Sequence, residues 1–189
     1  MAYINKVDGA LHYNIDKVLG VSMSNVAKVS SIASSPSMEF TVVYGAGGDF
    51  TLPINGGGAG YTHNFVVDWG DSSVSTITAF DDADRIHTYA GAGTYKVRMF
   101  GTCEWFAFAD GGDKVKVTTI DAFRGDIGLK VLNFYGCTAL TSTVALGTKA
   151  ALTTASSMFR GCTSLNNLPS DLFDGCSAIT TFSYAFNSC

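Results

Sequence analysis

The sequence predicts a mainly β protein with three segments: an N-terminal extended arm (residues 1–35), a small antiparallel β-sandwich (36–119) and a C-terminal solenoid (120–189). Glycine is abundant (21 residues) and proline scarce (3), which favours tight turns between short strands. The middle of the chain carries short β-branched and aromatic runs, and its last third repeats an apolar rhythm. With 47% hydrophobic and 15% charged residues, the chain can bury a core.

Charge and hydropathy exclude several classes of partner. The net charge of -4 and the pI of about 5.1 give no reason to expect nucleic acid or an anionic membrane as a partner. The longest apolar stretches are too short to insert across a bilayer. The first ten residues, MAYINKVDGA, lack the basic and then apolar stretches of a secretory leader. We therefore expect the chain to accumulate in the cytosol where it is made.

The N-terminal segment contains three copies of one short motif. The copies INKVDGA, IDKVLGV and VAKVSSI begin at residues 4, 15 and 26, a spacing of 11 residues. Their Gly, Asn, Ser and Val content opposes a helix and favours short strands with turns. Three such units cannot bury a core alone, so the arm must pair with another chain, with copies of itself or with a larger body. The positions that align are Ile4, Lys6, Val7, Ile15, Lys17, Val18, Val26, Lys28 and Val29.

This Ile-x-Lys-Val-x-Gly rhythm at the start of a chain resembles N-terminal segments of bacteriophage structural proteins. The resemblance implies that the arm docks to other virion proteins, and that the nine aligned residues are its virion-anchoring positions. A β-rich arm that has no special partner is the alternative.

Strand-forming runs fill the region from about Met38 to Val117. The stretches MEFTVVY, HNFVVDWG, VSTITAF, TYKVRMFG and KVKVTTI each show β-branched or aromatic residues bounded by Gly, Asp or Asn. About five to seven such strands predict a small antiparallel sandwich.

Part of this region carries a more specific pattern. The stretches NFVVDWGDSS and RIHTYAGAGTYKVRMFG resemble PKD-like domains, whose motif is matched by Val67, Trp69, Gly70, Asp71, His87, Tyr89, Gly93, Tyr95 and Val97. The resemblance implies that Trp69 fills the core and that Gly70-Asp71 forms the turn after it. It also implies that His87 and Tyr89 pack and hydrogen-bond beside Trp69. Ser72 stands where Gly is usual, which predicts a turn of a different type.

An enzymatic interpretation uses some of the same residues. Gly-Asp-Ser-Ser (70–73) and Asp-x-x-His (84–87) match two elements of a hydrolase class, with Ser72 as nucleophile and His87 as its base. In that class the two elements lie near opposite ends of an α/β domain. Here about a dozen residues of a β region separate them. We therefore do not expect an enzyme.

Two further stretches raise the question of a bound ion or cofactor. Asp81, Asp82 and Asp84 offer the carboxylate oxygens that Ca²⁺ prefers, but without the spacing of a known calcium loop; a solvated acidic turn is the alternative. The Gly-rich run YGAGGDFTLPINGGGAGYTHNF contains no Gly-x4-Gly-Lys-Ser/Thr motif, so it is not a phosphate loop. No cofactor is implied.

Phe-x-x-Cys occurs four times in the last third, ending at Cys137, Cys162, Cys176 and Cys189. Spacings of 25, 14 and 13 residues, with no His in the region, do not suit a zinc site. Five cysteines, an odd number, in a reducing cytosol argue against a disulfide framework. A Leu or Ile follows three residues after three of these cysteines. This period suits a solenoid in which the cysteines are core residues.

The stretch FRGCTSLNNLPSDLFDGCSAITTFSYAFNSC resembles the leucine-rich repeats of BspA-like surface proteins, which carry the same Phe-x-x-Cys-x-x-Leu rhythm and a Leu-Pro step, here Leu168-Pro169. The resemblance covers about residues 120–189. It implies a leucine-rich-repeat solenoid that serves as a binding or display surface. The candidate receptor-facing residues are Asn166, Asn167, Ser170, Asp171 and Asp174; an ordinary solvated face is the alternative for each.

Together, the three segments predict a non-enzymatic bacteriophage virion structural protein, such as a fibre, appendage or decoration protein. We expect it to assemble in the host cytoplasm, to form a homo-oligomer, and to contact a host surface protein or glycan through the repeats. No nucleic acid partner, membrane insertion or cofactor is expected. The alternative is a cellular BspA-like surface adhesin, extracellular, which requires a secretion route. A hydrolase that uses Ser72 and His87 ranks third.

Overall fold

A computed structural model describes residues 3–7, 10–14, 36–56 and 60–189. The chain divides into two compact units, Met1–Ser34 and Ser35–Cys189, each described here by itself. The described residues are mainly β with antiparallel sheets and contain no α-helix, which confirms the predicted fold class at this level. The high glycine content and the β-branched runs account for this choice of secondary structure.

The described residues of the first unit form an antiparallel hairpin. Strand β1 (Tyr3–Val7) pairs with β2 (Ala10–Asn14), with Tyr3 opposite Asn14 and Val7 opposite Ala10. Strands at this place agree with the preference of the repeated motif for short strands over helix. Among the predicted anchoring positions, Ile4, Lys6 and Val7 lie in β1. The other six lie outside the described residues: Ile15, Lys17, Val18, Val26, Lys28 and Val29.

The described part of the second unit begins with the following strands, in chain order: β3 (Met38–Tyr44), β4 (Gly48–Thr51), β5 (His63–Asp68), β6 (Val74–Ile77), β7 (Ile86–Tyr89), β8 (Gly93–Cys103), β9 (Trp105–Ala107), β10 (Val117–Phe123) and β11 (Val131–Asn133). Single-turn 3-10 helices lie at Ala83–Arg85 and Lys114–Lys116. Five strands form one antiparallel sheet in the order β10-β3-β8-β5-β6. Strands β4 and β7 form an antiparallel pair, and β9 and β11 a parallel pair.

The five-stranded sheet is apolar on one face and charged on the other. In β3, Met38 and Phe40 alternate with Glu39, so the first two are fully buried while Glu39 lies on the outer face. On that outer face Arg98 Nε lies 2.7 Å from Glu39 Oε2, and Arg98 Nη1 lies 3.1 Å from Asp68 Oδ2. These ion pairs cross three adjacent strands and keep the outer face polar.

From β10 onward the chain winds into stacked turns, which we call the coil stack: a first coil (118–140), which includes most of β10, a second (141–165) and a third (166–189). Thr119 bridges Ser142 in parallel, and Ser142 bridges Asn167 in the same way. Backbone hydrogen bonds continue the pairing along each coil, as when Phe134 N donates to Met158 O at 2.7 Å. Backbone hydrogen bonds therefore join each coil to its neighbour along the stack.

One core runs through the sheet and the coil stack without interruption. Phe106 of β9 contacts Phe40 of β3, with ring centroids 5.5 Å apart, and Phe134 of the first coil, at 5.8 Å. Strand β10 crosses the predicted boundary at 119/120, because it pairs with β3 and its Thr119 also bridges Ser142. Residues 36–56 and 60–189 thus share a single packed interior.

Candidate binding surface

The motif around Trp69 forms a compact aromatic cluster. Trp69 is fully buried, and the His87 ring stacks on it with centroids 4.8 Å apart and planes 11° apart. Tyr89 Oη donates to the Trp69 carbonyl at 2.9 Å, while His87 Nε2 lies 2.7 Å from Asp71 Oδ2. The contacts predicted for Trp69, His87 and Tyr89 are confirmed.

The turn between β5 and β6 places Ser72 in a left-handed conformation. Its φ is 77°, and Gly70 two residues earlier has a φ of 83°. A Cβ at Gly70 would lie 2.6 Å from the carbonyl oxygen of Lys96, so this position needs glycine. Asp71 Oδ1 accepts a hydrogen bond from Ser73 N at 3.0 Å. The turn thus carries one non-glycine residue in backbone geometry that favours glycine.

The same cluster bears on the predicted pairing of Ser72 with His87. In the described residues, His87 Nε2 contacts Asp71, and no hydrogen bond joins Ser72 to His87. Burial raises the pKa of Asp71, but hydrogen bonds from His87 and Ser73 outweigh burial and hold this pKa below its ordinary value. Asp71 therefore accepts from His87 as a carboxylate, so the ring nitrogen Nε2 of His87 is directed at Asp71.

The acidic turn at residues 81–84 is organised by Asp82. Asp82 Oδ2 accepts from Thr78 N and Oδ1 accepts from Asp84 N, both at 3.1 Å, so the side chain caps the 3-10 turn at Ala83–Arg85. Across the ranges that the structure describes, no group of three or more His, Cys, Asp or Glu side chains is arranged to hold a metal ion.

The cysteines of the coil stack contact the coil before their own. Cys162 Sγ donates to Phe134 O at 3.2 Å, Cys176 Sγ to Gly147 O at 3.3 Å, and Cys189 Sγ to Phe159 O at 2.8 Å. All five cysteines are free thiols. The prediction that the repeated cysteines are core residues is confirmed for Cys137, Cys162 and Cys176, which are buried. It is wrong for Cys189, which is exposed in the third coil.

The candidate receptor-facing residues lie together in the third coil and are all exposed: Asn166, Asn167, Ser170, Asp171 and Asp174. Asn166 N and Asn167 N both donate to Thr141 O, at 3.2 and 3.3 Å, so the backbone is fixed while both side chains face solvent. The structure thus leaves these amide, hydroxyl and carboxylate side chains, which we call the polar edge of the third coil, open to solvent. Such groups can hydrogen-bond a polar partner.

Sequence reasoning missed a buried lysine in the second coil. Lys149 is fully buried, and its Nζ donates to Gly125 O (2.9 Å), Leu146 O (2.6 Å) and Thr148 O (3.1 Å). Burial lowers the pKa of this ammonium below its ordinary value. Lys149 stands 27 residues before Cys176, the spacing of the full repeat, so an alignment of the coils could have found it.

Sequence reasoning also missed the aromatic surface of the third coil. Phe182, Tyr184 and Phe186 are exposed. The Arg160 guanidinium lies 4.9 Å from the ring centroid of Tyr135 and 5.5 Å from that of Tyr184, so it is stacked between coils. The Phe-x-x-Cys rhythm placed Phe186 in the pattern but did not indicate the exposure of Phe182 and Tyr184 beside it.

A shallow cleft of about 190 Å³ lies beside β4, lined in part by Leu52, Arg85 and Phe108. It is smaller than the usual pocket for a small-molecule ligand, about 300–1,000 Å³.

In the part of the chain that the structure describes, no helix is long and apolar enough to cross a membrane. Comparisons with protein-family models, with curated proteins and with solved structures find no match to this chain.

Proposed function

We propose that this chain is a non-enzymatic structural protein of a bacteriophage virion: a fibre, appendage or decoration protein. Its N-terminal arm docks to other virion proteins, and its PKD-like sandwich and leucine-rich-repeat solenoid display a surface to the host. The protein assembles in the host cytoplasm as a homo-oligomer and requires no cofactor.

The observation that supports this proposal most is the continuous core of residues 36–56 and 60–189. Ring contacts at 5.5–5.9 Å connect Phe40, Phe106, Phe134 and Phe159, so that sheet and coils pack as one interior. A joint of this kind resists bending, because any hinge would open a close-packed core. A stiff body suits a protein that holds a surface in a fixed position.

The polar edge of the third coil is the surface that we propose for host contact. Asn166, Asn167, Ser170, Asp171 and Asp174 are exposed there and present amide, hydroxyl and carboxylate groups. These groups match the hydroxyl-rich surface of a glycan, since both sides can donate or accept hydrogen bonds. The backbone bonds of Asn166 and Asn167 to Thr141 O hold part of this edge in place before a ligand arrives.

The virion assignment is tested by mass spectrometry of purified particles made with the intact protein or with a variant lacking residues 1–35. We expect the intact protein in particles and the truncated protein in the soluble fraction, folded by circular dichroism. A matched control keeps residues 1–35 and replaces Asn166 and Asn167 with Ala; it should enter particles normally. Particles that retain the truncated protein would contradict the anchoring role of the arm.

The surface adhesin is separated from this proposal by the same preparation. Antibody labelling of intact cells should find no protein on the surface of cells before lysis. Surface labelling, with no protein in particles, would favour the BspA-like adhesin, whose support is the resemblance of the Phe-x-x-Cys repeats.

For host contact, whole-cell binding by purified protein should fall at least tenfold in the variant with Asn166, Asn167 and Asp171 changed to Ala.

A further inference from the structure

The cleft beside β4 carries a charge that the rest of the fold does not use. Of the ten described residues that line it, Arg85 alone is charged. Within the described ranges the Arg85 guanidinium makes no ion pair, hydrogen bond or ring contact, whereas Arg98 pairs with Glu39 and Asp68. A guanidinium offers five N–H donors in a planar fork, and at Arg85 all five are available to a ligand.

Aspartates flank the cleft in the sequence, but among the described residues no carboxylate lines it. Asp82 accepts from two nearby backbone N–H groups, both at 3.1 Å. Asp113 Oδ2 accepts a backbone N–H of β4 at 2.8 Å, and Asp110 pairs with the lysine four residues later, also at 2.8 Å. Asp81 and Asp84 are exposed. The lining of the cleft is therefore positive, although the chain as a whole is acidic.

Backbone hydrogen bonds fix the walls of the cleft. Leu52 N donates to Arg85 O at 2.9 Å, which holds Arg85 against the end of β4. Ala107 N donates to Pro53 O at 2.8 Å, which ties β9 to the same segment. Leu52 and Phe108 anchor these walls in the core, since at most 4% of either is exposed. Because the cleft is formed before a ligand arrives, binding requires little ordering of the protein.

The loop that follows Phe108 at the rim of the cleft is strained. Ala109 and Asp110 have φ angles of 47° and 67°, and Gly112 has a φ of 56°. Two successive non-glycine residues in the left-handed region are costly, and such strain is concentrated at ligand sites. The loop brings Gly111 and Gly112 to the lining. Since neither has a side chain, a ligand can approach their backbone closely.

The lining suits a small carboxylate that also has hydroxyl groups and an apolar side. The fork of Arg85 fits a carboxylate through two parallel hydrogen bonds. The Thr51 hydroxyl has no partner among the described residues and can donate or accept. Pro53 and Ala107 add half-buried aliphatic surface. A volume of about 190 Å³ has room for one sugar residue rather than for an oligosaccharide. A hexuronic acid combines all these features.

We propose that this cleft binds the terminal acidic sugar of a glycan, with the sugar carboxylate paired to the Arg85 guanidinium. The sugar hydroxyls bond to Thr51 and to the backbone of Gly111 and Gly112, and the ring lies on Pro53. The carboxylate site follows from the lining itself; that a glycan supplies the carboxylate rests on the proposed contact with the host surface. The polar edge of the third coil consists of other residues, so the two surfaces can be tested separately.

Titration of the full chain with free glucuronic acid, followed by NMR chemical shifts, tests the proposal. We expect saturable shifts at the Arg85 side chain and at the amides of Gly111 and Gly112, with little change in β10. Glucose has the same ring without the carboxylate and should bind at least tenfold more weakly. Arg85→Gln, checked for folding by circular dichroism, should weaken glucuronic acid binding at least tenfold. Lys130→Gln removes the same charge outside the cleft and should leave binding unchanged.

Three results would overturn the proposal. Equal binding of glucose and glucuronic acid would show that the guanidinium does not recognise the carboxylate. Binding of glucuronic acid that Arg85→Gln leaves unchanged would place the site elsewhere. Shifts at the same residues with a short glutamate-rich peptide, and none with glucuronic acid, would assign the cleft to an acidic peptide. Arg85-dependent binding of glucuronic acid by a protein that is absent from virions would support the cleft and contradict the virion assignment alone.

Discussion

Lys149 in the second coil and Gly125 in the first are joined across the stack by a hydrogen bond of 2.9 Å, from the buried ammonium to the carbonyl oxygen. The ammonium also reaches Leu146 O and Thr148 O, so all its donors are used. Lys149 therefore donates to backbone carbonyls from the repeat position that Cys176 occupies in the third coil.

Replacing Lys149 with Met should destabilise the protein, because it removes three hydrogen bonds to backbone carbonyls. One of these bonds, to Leu146 O, is buried. We expect a loss of about 2 kcal/mol in the free energy of unfolding, from acceptors left unpaired against relief of the buried charge. Urea denaturation measures it. The exposed lysine variant Lys130→Met, which breaks a surface pair with Glu104, should cost no more than about 1 kcal/mol. Equal losses in the two variants would contradict the role of Lys149.

The same lysine predicts a dependence of stability on pH. Because burial lowers the pKa of Lys149 in the folded state, the unfolded chain binds more protons between that lowered pKa and about 10.5. The Lys149 contribution should therefore make the protein more stable as the pH rises through this window. The difference in unfolding free energy between wild type and Lys149→Met, measured from pH 7 to 10, should grow in favour of wild type. Cys176 interacts with Lys149, so it is changed to Ala in both proteins; the buried tyrosines and cysteines distant from Lys149 titrate in both, so their effects cancel in the difference.

Ser72→Gly should stabilise the protein by about 1 kcal/mol. Ser72 has a φ of 77°, a conformation that costs a residue with a Cβ roughly that amount and costs glycine little. Thermal denaturation measures the gain. Ser73→Gly in the same turn is the control, since Ser73 is not among the residues with positive φ and its change should lower the melting temperature. A lower melting temperature for Ser72→Gly would contradict the turn geometry.

The thiols should differ sharply in reactivity. Burial raises the pKa of Cys103 and Cys162 to about 12, and Cys137 and Cys176 are buried with raised pKa values as well. Burial also raises the pKa of Cys189, but Cys189 is exposed and the other four are buried, so access to the sulfur decides. At pH 8 a thiol reagent should therefore modify Cys189 of the native protein quickly and all five cysteines after denaturation. The variant Cys189→Ser should remove the fast reaction. Rapid labelling that survives this substitution would contradict the burial of the other four.

The phenylalanine column predicts a steep gradient of stability. Phe159 is fully buried between two stacked rings, so Phe159→Ala should cost about 3–5 kcal/mol. Phe182→Ala, at a position 48% exposed, should cost about 1 kcal/mol or less. Denaturant titration of both variants gives the comparison. Similar losses at the two positions would contradict the exposure of Phe182.

Local patterns allowed parts of this fold to be predicted. The alternation in MEFTVVY gives the buried Phe40 and Val42 of β3, because successive side chains of a strand face opposite sides. The motif around Trp69 predicted the contacts of His87 and Tyr89 correctly. The Phe-x-x-Cys period predicted the burial of Cys137, Cys162 and Cys176.

Other features depend on pairing between distant residues, which local patterns do not carry. Strand β10 pairs with β3 of the sheet and with Ser142 of the coil stack, so it belongs to both. The local sequence around the predicted boundary at 119/120 does not show this double pairing. The parallel pairing of β9 with β11 was likewise not predicted. Lys149 was missed because its copy of the motif reads Leu146-x-x-Lys149, without either Phe or Cys. The exposure of Phe186 depends on the absence of a neighbour within the described residues, which its own motif cannot show.

The first coil is covered by β9 and the residues just after it, since Phe108 N and Asp110 N donate to Asn133 O and Tyr135 O. These covering residues precede the coils in the chain, and this gives folding a direction. During synthesis the ribosome delivers β9 before the first coil, and each coil before its successor. A coil takes roughly 1–5 seconds to emerge, whereas short loops close in well under a millisecond. Each new coil therefore meets a finished template as it leaves the ribosome, and the stack can grow from its first turn to its last without waiting for the end of the chain.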